Sequence, residues 1–369
     1  MNVDLSPIRT APAAAVTRLA IADCDLHLGP RGIEDLFPYM PARWVRHIQT
    51  YGMTHRTAFA GGAPAFPKSA PMAARRDAWP PDGAPPGTNL EFTREQHLDV
   101  FNVELGLINP PQPSQNFMLP DLANAVASAM NDWQIEHLVR PEPRLRASIV
   151  VNYEDPPAAA KEIERCAGIQ GFGHVLLMSR TGEPLGSRRY HPLFDAAAAA
   201  GIPVGMHAFG FSGHPSTSSG WPSFYLEDML AHAQAFQAHL ASMVFEGLFE
   251  RLPALKFVMI EGGFGWAPSL CWRLDKLWHR MRDETPHLRK APSEYIRSQV
   301  WFTTQPMEEP ADKQELEDAI GWLGWDRLLF ASDYPHWDYD NPDVVLPIRV
   351  EEDQRQRFFR GNAKVVYGV

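Results

Sequence analysis

Short runs of Val, Ile, Leu and Phe, each followed by a longer amphipathic stretch, recur along the chain, and this alternation limits the fold more than any other feature. The runs are Leu19–Cys24, Val103–Ile108, Ala147–Val151, His174–Met178, Pro203–His207, Lys256–Ile260, Val300–Thr304 and Arg327–Ala331, eight in all. Near-continuous apolar strands need cover on both faces, as parallel strands have beneath helices. Apolar residues at helical spacing fill the intervals at Leu119–Leu138, Ala158–Cys166, Leu193–Ala200, Leu226–Glu250, Pro268–Arg282 and Asp312–Leu323, and Gln354–Tyr367 closes the chain. Eight strands interleaved with helices predict an α/β protein, a distorted (β/α)8 TIM barrel. Two three-layer domains would also suit the length. However, no linker divides the middle of the chain, and no repeat of about 20–50 residues recurs.

At 369 residues the chain exceeds a barrel of about 250, and the surplus is concentrated. The interval 28–102 has no strand run and carries a cluster of proline, glycine and alanine over residues 60–87. The 34 prolines are nearly twice the usual share of about 5%. A second cluster, Pro110, Pro111 and Pro113, follows the second strand. We expect residues 1–18 to form an N-terminal arm and 19–369 a single barrel domain. Residues 28–102 form an insertion that leaves from the catalytic face and covers it as a lid.

Composition removes whole classes of function. With 45% hydrophobic residues the chain is not disordered, and a net charge of −10 disfavours nucleic acid and anionic membranes as partners. Three cysteines without C-x-x-C spacing suit a reducing compartment. No apolar run reaches the roughly 18 residues of a span. Asp4 and Pro7 break any signal-peptide pattern, so a cytoplasmic location is expected.

A barrel carries its chemistry at the C-terminal ends of its strands. Here those ends read Asp25-x-His27 after strand one, His207 after five, Glu261 after six, and Asp333 with His336 after eight. Imidazole nitrogens and carboxylate oxygens are the ligands of borderline divalent metals. Residues i and i+2 of a strand point the same way, so Asp25 and His27 can reach one ion on the barrel axis. Taken singly, each has an ordinary explanation: a core histidine at 207, a turn cap at 333, a helix N-terminal carboxylate at 261. Their joint placement at four strand ends favours a metal centre. Phe209, Trp266, Tyr334 and Trp337 follow strand ends and are candidates for an apolar substrate pocket, with helix-on-barrel packing as the alternative. The loop Phe211–Trp221, including His214, is rich in glycine and serine. His232 and His239, seven apart on one helical stretch, read as exposed or packed against the sheet, and His191, before Pro192, reads as structural.

The segments ADCDLH (22–27), YHPLFDAAAAAGIPVGMH (190–207), VFEGLFERLPALKFVMIEGGFGW (244–266) and LLFASDYPH (328–336) resemble the amidohydrolase superfamily. The likeness is to its amidohydrolase-related branch, which includes the aminocarboxymuconate-semialdehyde decarboxylase-like enzymes. It implies a metal-dependent barrel in which Asp25, His27, His207 and Asp333 match ligand positions. Glu261 stands where many decarboxylase-like members have histidine, and it can serve as base, ligand or bridge to a second ion. The expected cofactor is one divalent ion, zinc first, with manganese or iron as alternatives. On this basis a hydrolase comes first: a metal-activated water attacks the carbonyl of an amide, lactone, ester or thioester, with Asp333 or Glu261 as base. The alternative is non-oxidative decarboxylation of an aromatic or enol-type acid, with Glu261 or His336 supplying the proton. A non-catalytic ligand-binding barrel comes third. The expected partner is a small molecule, and the resemblance implies a homodimer.

Overall fold

The computed structural model describes residues 18–52, 73–110, 117, 119–210 and 215–368. Most of the expected N-terminal arm, residues 53–72 with the first part of the proline cluster (60–72), Pro111, Pro113, Phe211 and His214 lie outside the described residues.

Eight strands form one parallel sheet in sequential order. They are β1 (Ile21–Leu26), β2 (Val103–Ile108), β3 (Leu145–Val150), β4 (Phe172–Arg180), β5 (Val204–Gly210), β6 (Phe257–Ile260), β7 (Val300–Thr303) and β8 (Leu328–Leu329). All eight apolar runs became strands, most shifted by one or two residues. The ring is irregular where it closes. β8 has only two residues, and the chain beyond it completes the contact with β1 through Cys24 N to Phe330 O (3.0 Å), Asp333 N to Asp25 O (3.2 Å) and His27 N to Tyr334 O (2.8 Å).

Helices cover the outside of the sheet. Asp155 caps Pro156–Ala167 by accepting from Ala158 N, and Asp312 caps Lys313–Leu323 by accepting from Gln314 N. The long helix expected over Leu226–Glu250 is two, Tyr225–Phe245 and Leu248–Arg251. Gly247 takes φ 75° between them, a conformation that glycine adopts without steric cost. An additional helix, Pro292–Gln299, precedes β7. No helix among the described residues is long and apolar enough to cross a membrane.

A large apolar cluster lies between sheet and helices. A smaller one joins Ala22 and Cys24 of β1, Leu105 and Leu107 of β2, Val258 and Ile260 of β6, and Trp301 of β7. These strands stand on opposite sides of the ring, so this cluster fills its interior. Ala363 and Val366 of the closing helix Asn362–Tyr367 pack onto it.

The described part of the 28–102 segment lies against the chain that follows β8. Ala73–Arg75 runs antiparallel to Pro335–Trp337, with Arg75 N to Pro335 O at 2.9 Å and Trp337 N to Ala73 O at 2.8 Å. Gly87, at φ 76°, donates no side chain to this packing; a Cβ there would sit 2.2 Å from the carbonyl oxygen of His27.

Candidate metal centre

A register irregularity in β1 between Asp23 and Leu26 turns Asp25 inward although Cys24 before it already faces the interior, and the strand end delivers His27 beside it. His207 arrives from β5. Glu261 and Asp333 each sit past a strand in the left-handed region, at φ 59° and 62°. That conformation is strained for a non-glycine residue and tends to occur at functional sites. Asp25, His27, His207, Glu261 and Asp333 are all buried.

The side-chain atoms converge. His27 Nε2 lies 2.8 Å from Asp333 Oδ1 and 3.3 Å from Asp25 Oδ1. His207 Nε2 lies 2.8 Å from Glu261 Oε2 and 3.4 Å from Asp25 Oδ2. Despite these distances, Asp25 Oδ2, both Nε2 atoms and Glu261 Oε2 lack hydrogen-bond geometry to any partner among the described residues. The other ring nitrogens explain why. His27 Nδ1 faces Asn109 O at 2.7 Å, and His207 Nδ1 faces Ala208 O at 2.8 Å. A carbonyl only accepts, so each Nδ1 carries the proton. In the neutral ring each Nε2 then presents a lone pair to carboxylates that are themselves acceptors. Lone pairs converging on one buried point call for a cation, and the N/O donor set suits a divalent metal.

The electrostatics agree. Burial opposes charging His207, but Asp25 and Glu261 outweigh it and raise its pKa to about 10. Burial likewise opposes charging His27, and Asp25 with Asp333 raises it well above the usual imidazole value. Burial pushes Asp25 up, yet His27 and His207 hold it well below the usual carboxylate range. Burial raises Asp333 to about 6 against the pull of His27, and raises Glu261 with help from the Asp333 charge. A bound cation would replace the protons these imidazoles otherwise attract.

His336 Nδ1 donates to Asp333 Oδ1 at 2.6 Å, and its ring stacks on His27 with centroids 4.2 Å apart. Gln305 Nε2 donates to Asp333 Oδ2 at 3.2 Å. The proposed pocket residues separate. Phe209 is half-buried at the end of β5, its ring 4.4 Å from His232. Trp337 is exposed beside His336. Trp266 packs edge-on against Phe302 and donates to Gly262 O, which is helix-on-barrel packing. Tyr334 is buried, stacked on His97 and donating to Gln96 Oε1, so it packs in the core beneath the 28–102 segment. His239 is buried against Ser179 O, and His232 Nδ1 accepts from Phe209 N.

Three residues at the centre escaped the sequence reading. Asn109 follows β2 and donates to Asp25 Oδ1 at 2.8 Å. His174 lies behind it on β4. Asp338 groups with Glu261 and Asp333, and burial, then those two charges, push it up to about 8. Asn109 was within reach of the strand-end rule, being the first polar residue after an apolar run. His174 and Asp338 carried no such signal.

The family model described as Amidohydrolase matches residues 22–369. A gamma-resorcylate decarboxylase from Polaromonas sp. (strain JS666) is 28% identical over 298 residues, 76% of this chain and 87% of that protein. Among solved structures, an amidohydrolase from Mycobacterium avium subsp. paratuberculosis superposes with a TM-score of 0.72 at 21% identity, covering 96% of this chain and all of that one. A 5-carboxyvanillate decarboxylase from Novosphingobium aromaticivorans, complexed with manganese, has a TM-score of 0.66 at 19% identity, over 95% and 96% of the two chains. The decarboxylase names overturn the expectation that hydrolysis comes first, because the curated relatives this chain matches by sequence are decarboxylases. The ligand pattern could not discriminate: the same N/O set serves water activation or carboxylate binding. The preference for zinc finds no support either, since the ion named in that relative is manganese. The match from strand one to the C-terminus, over a barrel of eight parallel strands, makes this chain an enzyme of the amidohydrolase superfamily and a member of the amidohydrolase family.

Proposed function

We propose that this enzyme is a metal-dependent, non-oxidative decarboxylase of a hydroxylated aromatic carboxylic acid. The observation that carries the reading is the buried convergence of lone pairs from Asp25, His27, His207, Glu261 and Asp333. The decarboxylase names of the relatives select the reaction. Asp25, His27, His207 and Asp333 are the residues that would hold the ion, with manganese the first to test. When bound, the ion supplies a positive anchor for the substrate carboxylate and the adjacent hydroxyl.

Glu261 is the proton donor. Burial and the neighbouring Asp333 favour its protonated form. Its proton goes to the ring carbon that bears the carboxylate. The bond from that carbon to the carboxylate then breaks, its electron pair restores the aromatic ring, and carbon dioxide leaves. Solvent reprotonates Glu261. His336, donating to Asp333, keeps that carboxylate oriented. Phe209 and Trp337 are the apolar walls of the proposed site. The proposal also takes in the insertion as a lid, a small-molecule partner, a cytoplasmic location and a homodimer.

The test is carbon dioxide release from a panel of ortho-hydroxybenzoates by protein loaded with Mn(II). Release that stops on chelation and returns with Mn(II) supports the reading. No release from any member overturns it.

A further inference from the structure

Asn109 uses every polar group it has, and three of its four partners are the consecutive residues Asp25, Leu26 and His27 at the end of β1. Its backbone N–H donates to Leu26 O at 2.8 Å, and its carbonyl accepts from His27 Nδ1 at 2.7 Å. Its side-chain Nδ2 donates to Asp25 Oδ1 at 2.8 Å. The remaining atom, Oδ1, accepts from His174 Nε2 at 2.9 Å. Asn109 is 1% exposed and His174 fully buried. Leucine or aspartate at 109 could not do this: one has no donor, and the other would present an acceptor to the Asp25 carboxylate.

His174 fixes which way the amide points. With Nδ2 committed to the carboxylate, Oδ1 must face the histidine, so Nε2 carries the proton. The ring's Nδ1 has no hydrogen-bond partner among the described residues. The fold makes room for this ring with a glycine. Gly205 lies in β5, and a Cβ there would stand 2.9 Å from His174 Cδ2 and 3.0 Å from its Nε2. A glycine inside a strand commonly marks such a close approach.

We infer that Asn109 and His174 are positioning residues for the metal: Asn109 holds Asp25 and His27 at their ligating angles, and His174 locks the Asn109 amide in the orientation this requires. Partners behind the ligands of this kind set affinity, and their loss typically weakens metal binding about 10–100-fold. The inference rests on the proposed metal centre and is independent of the reaction assigned to it.

The test measures Mn(II) affinity by the electron paramagnetic resonance of the free ion, for the wild type and for Asn109→Leu, His174→Leu and His174→Gln. The Co(II) absorption spectrum reports ligand geometry in the same proteins. Asn109→Leu keeps both backbone bonds and removes only the amide. It and His174→Leu should bind Mn(II) about 10–100-fold more weakly, with an altered Co(II) spectrum and metal-free thermal unfolding still cooperative. His174→Gln presents an N–H near the same point and should recover most of the affinity. Where Asn109→Leu does not fold, the two His174 variants decide. Folded leucine variants with wild-type affinity and spectrum overturn the inference alone. Wild-type protein that binds no Mn(II) overturns the metal centre, and this inference with it.

Discussion

At the scale of single residues, Glu261 is where position and chemistry are most closely joined. Its carboxylate lies 2.8 Å from His207 Nε2 without hydrogen-bond geometry, and its backbone is held in the left-handed region. As a proton donor it must be titratable; as a ligand it must supply a lone pair. Glu261→Gln separates the two. We expect carbon dioxide release to fall by at least about 100-fold, while Mn(II) affinity stays within about threefold of wild type. A parallel loss of Mn(II) binding would instead make Glu261 a ligand. Glu261 was legible in the sequence, as were Asp25, His27, His207 and Asp333, because each interrupts an apolar run at a strand end. His174 was not, since it opens its run and meets Asn109, 65 positions away, only across the folded sheet. Tyr334 has the same sequence neighbourhood as Trp337, but its ring turns under the 28–102 segment whereas Trp337 is exposed.

Among elements, strands were easier to read than the connections between them. A strand covered on both faces is apolar at nearly every position. Pro292–Gln299, by contrast, has eight residues with few apolar ones, and only packing reveals it. Residues 28–102 stand out in the sequence as an excess of length, but nothing there shows how their described part is fastened. One fastening is Glu142, before β3. It accepts from Arg144 Nε and Nη2, each at 2.8 Å, and from Arg94 Nε of the insertion at 2.8 Å. Hydrogen bonds from Arg144, opposed by burial and helped by Arg94, lower the Glu142 pKa to about 2. A folded pKa below the unfolded value means stability that is present above about 4.5 and lost as pH falls towards 2. Glu142→Gln should therefore cost about 2 kcal/mol at pH 7, and the gap from wild type should shrink by more than half at pH 3. Urea unfolding at the two pH values measures it. A gap that does not change with pH would mean that Glu142 acts through packing alone.

For the molecule as a whole, the seam between β8 and β1 is the place where fold and site depend on each other. β8 is two residues long, so regular pairing cannot close the ring. Asp23 does much of the closing. Its Oδ1 accepts from Ser332 N at 2.9 Å and Asp25 N at 3.3 Å, and its Oδ2 from Ser332 Oγ at 2.5 Å, with His97 Nε2 at 2.7 Å. His97 belongs to the insertion, and Tyr339 OH reaches its other ring nitrogen at 3.3 Å. Three parts of the chain thus meet on one buried carboxylate, between a residue two before Asp25 and one immediately before Asp333. Opening the seam should disturb both. Asp23→Asn keeps the volume but places an amide N–H₂ where an acceptor is needed, leaving a buried donor facing donors. The expected cost is about 2–4 kcal/mol in chemical denaturation, together with weaker Mn(II) binding. Glu142→Gln serves as the control, because it loosens the insertion far from the ligands and should lower stability with Mn(II) affinity unchanged. If Asp23→Asn matched that control, losing stability and keeping its affinity, the seam would close the barrel without setting the angle between Asp25 and Asp333.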